Sequence, residues 1–89
     1  MRAIVTPGVT ASLTEVGELV LRLPPNDRPF IYETDRTAMW IALRQCDGNI
    51  DIAAHKIAIL WQTDETVIHS EIELAVSDWQ NDGLIMRQE

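Results

Sequence analysis

Hydrolysis through a thiolate requires a cysteine with a base at hand, and the chain offers only Cys46 with His55 or His69. Cys46 falls on the apolar stripe of an expected helix, where a free cysteine behaves as a small buried hydrophobe. His69 and Glu73 stand four residues apart, a spacing that places two metal ligands on one helical face. No second His-rich or Cys-rich pair completes the shell, so both residues read as part of a solvated face, as does the lone His55. Gly8, Gly17, Gly48 and Gly83 are isolated from one another and form neither a phosphate loop nor a nucleophile elbow. The expectation is a protein that is not an enzyme, with no catalytic residue, no metal and no cofactor.

The elements that would carry any site are few. Eighty-nine residues suit one domain, 1–89, with one small core. The hydrophobic share of 46% beside 24% charged residues is that of a folding chain rather than a disordered one. Seven Lys and Arg against fourteen Asp and Glu give a formal charge of −7, which repels phosphate and anionic lipid. One cysteine makes no internal disulfide, and Arg2 to Gly8 does not read as a signal, so a cytoplasmic location is expected. No apolar run approaches the roughly 20 residues of a membrane span.

The hydrophobic period changes near Thr34 and Asp35. Before it, Val9, Ala11 and Leu13 alternate with polar residues, and Leu19, Leu21 and Leu23 alternate with Glu18, Val20 and Arg22. This predicts two strands with one buried face, joined at Gly17. Pro24 to Pro29 is expected to interrupt the ladder, since prolines lack the donor. Phe30–Thr34 is then a short third strand, with Ile31 and Tyr32 on opposite faces. After Asp35 three helices follow. Thr34 or Asp35 caps the first, which buries Met39, Trp40, Ala42, Leu43 and Cys46 and ends at Asp47-Gly48. Asp51 caps the second, with Ile50 as a staple and Ala53, Ala54, Ile57, Leu60 and Trp61 inside. The third begins near Thr63, buries Ile68, Ile72, Ala75, Val76 and Trp79, and stops at Gly83. The apolar Leu84, Ile85 and Met86 should pack back on the core.

Three strands with three helices, an α+β and winged-helix-like arrangement, would suit duplex DNA if the last helix were basic. Instead no Lys or Arg occurs from Thr63 to Gly83, while Asp64, Glu65, Glu71, Glu73, Asp78 and Asp82 do. Phosphate contacts supply most non-specific affinity, so nucleic acid is a poor partner. An acidic, non-catalytic domain with an exposed sheet edge beside a helix instead suits an extended peptide that adds a strand. The third strand is the candidate edge, and the alternative is that Phe30, Ile31 and Tyr32 only complete the core. Glu71 and Asp78 can attract basic peptide residues, or simply keep the domain soluble.

The run Thr37, Ala38, Met39, Trp40, Leu43, Cys46-Asp47-Gly48, Ile50, Ala53, Ala54 and Ile57 resembles the PqqD-like family, also called RiPP recognition elements. Glu71-Ile72, Ala75-Val76, Trp79 and Gly83-Leu84-Ile85 carry the likeness to the end of the chain. It departs from the family in lacking Leu-Asn before the first helix, where Glu33-Thr34-Asp35 stands, and in having Trp79 where leucine is commoner.

The resemblance implies a three-stranded antiparallel sheet followed by three helices, in which the leader of a ribosomally made precursor peptide adds to the third strand. Backbone pairing would come from Phe30, Ile31, Tyr32, Glu33 and Thr34, and groove contacts from Val67, Ile68, Glu71, Ile72, Ala75 and Trp79. A free-standing chain of this size with Trp40 is most similar to the leader-binding protein of split lasso-peptide systems. Its implied partners are a cysteine protease that removes the leader and an ATP-dependent cyclase resembling asparagine synthetase. The alternative is a PqqD-type peptide chaperone serving a radical-SAM enzyme on pyrroloquinoline quinone precursors.

Overall fold

Leu19 and Leu21, on the inward face of their strand, anchor a three-stranded antiparallel sheet that precedes three helices. The computed structural model describes residues 2–88, apart from the side chains of residues 26 and 27. Its elements are β1 (Arg2–Val5), β2 (Thr10–Leu13), β3 (Leu19–Leu23), β4 (Asn26–Tyr32), α1 (Thr34–Gln45), α2 (Ile50–Trp61), α3 (Glu65–Asn81) and β5 (Ile85–Gln88). The sheet order is β2-β3-β4, and β1 and β5 form a separate antiparallel ribbon. The α+β class and the strand-then-helix order are as expected. The ribbon is an addition, because four-residue segments at either end of a chain carry no periodicity that identifies them as partners. Of the apolar tail, Leu84 and Ile85 are buried as expected, whereas Met86, on the other face of β5 from Ile85, is 47% exposed.

Several local expectations are corrected. β2 is exposed along its whole length, although Ala11 and Leu13 share a face with Leu21 and Leu19, because α1 packs on β3. The proline-rich break is confined to Pro24-Pro25, and β4 resumes at Asn26 with a shift of register opposite Leu21 to Leu23. Pro29 is tolerated there because an edge strand forfeits no ladder bond on its open side. β4 ends at Tyr32, so Glu33 and Thr34 do not extend it. The Glu33 carbonyl accepts from Arg36 and Thr37 as the N-cap of α1, without a side-chain cap, and Thr34 is helical.

The cap of α2 is Asn49, whose Oδ1 accepts the Ile52 N–H at 3.1 Å, and not Asp51, which sits in the first turn. Leu60 and Trp61 are 74% and 39% exposed, because the last turn of α2 projects past the residues that pack on Ala53, Ala54, Ile57 and Ala58. The α3 face matches the periodicity: Ile68, Ile72, Ala75, Val76 and Trp79 are all buried. Asp64 caps it through Thr66 N–H at 2.8 Å. At its other end Leu84 N–H donates to Trp79 C=O and Gly83 N–H to Gln80 C=O, the Schellman pattern that a glycine at φ +77° permits. No helix among the described residues is long and apolar enough to cross a membrane.

Candidate functional site

The residues first considered for chemistry are dispersed. His55 Nδ1 lies 2.6 Å from Glu65 Oε1 and His69 Nε2 2.8 Å from Asp51 Oδ1, so both rings staple α2 to α3. Cys46 is half-buried at the end of α1, and its thiol is bonded to neither ring. Glu73 holds Arg87 instead of joining His69.

The peptide-docking candidate is built on β4. Thr14 donates its N–H to Glu18 C=O, and opposite pairs in an antiparallel ladder alternate between bonded and non-bonded kinds. Two steps on, Ser12 and Val20 are again a bonded pair, so Val20 directs its backbone groups to β2. Leu19 and Leu21 direct theirs to Tyr32 and Phe30. Ile31, opposite Val20, therefore points its N–H and C=O away from β3, toward the open edge. Its side chain is 56% exposed, on the face opposite the one that Phe30 and Tyr32 turn to the core. Of the two outcomes left open by periodicity, Tyr32 serves the core and Ile31 the surface.

Beside this edge lies α3, whose surface divides into three by its turn of about 100° per residue. One face is the core face. A second holds β5, with Arg87 donating to Gln80 Oε1, Glu73 Oε2 and Ser77 Oγ at 2.9, 3.1 and 3.2 Å. The third carries Val67, Glu71, Leu74 and Asp78 at helical spacing, with Asp82 just past the end. It is turned toward β4 and the start of α1: Asp78 Oδ2 is 3.0 Å from Arg36 Nη1, and Tyr32 donates its hydroxyl to Asp82 Oδ2 at 2.7 Å. Burial, then the Asp82 carboxylate, hold the Tyr32 phenol well above its ordinary pKa. The Tyr32 ring meets Trp79 edge-on at 5.9 Å, and Trp79 meets Trp40 at 5.1 Å. The Trp79 indole N–H is buried with no acceptor among the described residues.

The third face is apolar and acidic in alternation, with Val67 and Leu74 each more than half exposed. Of the six expected groove residues, Val67 and Glu71 lie on it. Ile68, Ile72, Ala75 and Trp79 are buried in the core of the free protein. Leu74 and Asp82 escaped the sequence reading of the groove; continuing the Val67, Glu71, Asp78 spacing would have included Leu74. What the arrangement offers is one outward pair of backbone groups, an apolar wall of two side chains, and three carboxylates, of which Asp78 already holds Arg36 and Asp82 the Tyr32 hydroxyl.

No protein-family model and no curated protein matches the chain. Among solved structures, TbiB1 in complex with the TbiA(beta) leader peptide is similar in fold, with a TM-score of 0.82 at 13% sequence identity. The likeness spans 97% of this chain and 98% of that one.

Proposed function

We propose that this protein belongs with the PqqD-like RiPP recognition elements and binds the leader of a ribosomally made precursor peptide by strand addition to β4. The observation that carries the reading is the outward-facing backbone of Ile31 beside an exposed apolar and acidic stripe on α3. The shared fold with a protein solved bound to a leader peptide supports it. Phe30 and Tyr32 fasten β4 to β3, Ile31 pairs with the incoming strand, and alternate leader side chains lie against Val67 and Leu74. Glu71 and Asp78 favour a leader with basic residues at matching positions. The domain performs no catalysis of its own. It delivers the precursor, in a lasso-peptide pathway, to a leader peptidase and an ATP-dependent cyclase.

Strand addition sets the scale of affinity. The two backbone bonds that Ile31 offers, at about 1 kcal/mol net each, and two apolar anchors at about 2.5 each give roughly 7 kcal/mol gross. Ordering a flexible leader takes back about 2–5 of this, which leaves about 2–5 kcal/mol, a weak complex with a Kd of about 0.2 mM or above. The test is titration of isotope-labelled protein with the synthetic leader of a precursor encoded beside it, with duplex DNA as control. Amide shifts at Phe30–Tyr32 and along the Val67–Asp78 stripe are expected. Shifts with DNA and none with the leader would overturn the reading.

A further inference from the structure

A second strand edge lies on the β1–β5 ribbon, where the outer side of β1 is bridged to Asn49 at Arg2 and open farther along. Thr6 donates its N–H to Leu84 C=O, so Thr6 faces β5 and its neighbour Val5 faces the other way. The same alternation is visible at Ala3, whose N–H is already taken by the Gly48 carbonyl at 2.9 Å on that outer side. Past that contact, Val5 directs its N–H and C=O into a cleft of about 350 Å³ between β1 and α1. Trp40 and Leu43, core residues only 5% and 4% exposed, close its apolar floor, and Arg2, Arg44 and Asp47 form its polar rim. Arg2 is paired with the Asp47 carboxylate, whereas Arg44 has no partner among the described residues. The rim is therefore cationic in a chain whose net charge is −7.

We propose that this cleft is a second peptide-docking site, for an extended segment that pairs with Val5, sets an acidic side chain on Arg44 and lays an apolar one against Trp40 and Leu43. Its charge is opposite to that of the α3 stripe, so one peptide does not suit both grooves, and the proposal stands independently of leader binding. Trp40 also touches Trp79, and Trp79 touches Tyr32, so the two sites share one line of aromatic contacts.

The test uses the intact protein and a capped pentapeptide of alternating valine and glutamate, with glutamine and lysine versions for comparison. Amide shifts at Val5 and Arg44 and a shift of the Trp40 indole signal are expected with the glutamate peptide. Arg44→Glu, an exposed change, should weaken that peptide by about tenfold and make the lysine version the better ligand, while leader binding at β4 persists. Three results would overturn the site: no shift at millimolar glutamate peptide, shifts at Ile31 and α3 instead, or equal binding of glutamate and lysine peptides by the unaltered protein.

Discussion

Replacing Ile31 with proline separates the two edges of β4. Its N–H faces outward, so the ring removes no bond to β3, and its side chain is largely exposed. The fold should lose about 1 kcal/mol or less, within the range of edge-strand prolines. A docked leader loses one backbone bond, about 1 kcal/mol net, and keeps a carbonyl with no donor, which costs about 1–3 more. A combined loss of about 2–4 kcal/mol raises Kd by roughly 30- to 800-fold. The neighbouring Phe30→Pro supplies the contrast, because the Phe30 N–H faces Leu21 and its removal breaks the sheet itself. That variant should lose about 2–3 kcal/mol of stability. Leader affinity by fluorescence anisotropy and thermal unfolding by circular dichroism measure the two quantities separately. An Ile31→Pro protein that remains folded and binds within threefold of the unaltered chain would refute both the assigned direction of the Ile31 backbone and strand addition at this edge.

Three further outcomes follow from the same geometry. Leu74→Ala removes an exposed side chain, so stability should stay within about 0.5 kcal/mol while leader affinity falls by about tenfold; a titration beside a melting curve checks both. Tyr32 is the only tyrosine, and its phenol is held protonated by burial and by Asp82, so no tyrosinate absorbance should develop until well above the ordinary pKa of about 10. Because the folded value is raised, its contribution to stability is complete below about pH 10 and is lost as the pH climbs beyond it. Alkaline melts of the parent and of Tyr32→Phe should therefore converge. Gly48→Ala would bring a Cβ to 2.2 Å from the Ala3 carbonyl oxygen at a φ of +81°. A loss of about 2 kcal/mol or more is expected by chemical denaturation, with the amide signals of β1 displaced first.

Periodicity alone determined the class of this protein. The change from a period of two to a helical period, the glycine stops and the α3 face reflect local rules that hold wherever the segment packs, and they survive in the structure. So does the inward set Leu19 and Leu21, because a strand with one apolar face has one way to turn it. The acidic character of α3 is equally local. Tertiary structure decided what local rules leave degenerate. Whether Ala11 and Leu13 are covered depends on where α1 comes to rest, and the exposure of Leu60 and Trp61 on how far α2 outruns its neighbours. The pairing of Arg2–Val5 with Ile85–Gln88 joins segments some eighty residues apart, which no window of sequence contains. At the candidate site, Val67 and Glu71 were legible from charge and spacing. The division of α3 into a core face, a face held by Arg87 and a free face required its neighbours to be in place. So did the outward turn of Ile31, since the direction of a backbone amide follows from the parity of a ladder and not from the residue that carries it.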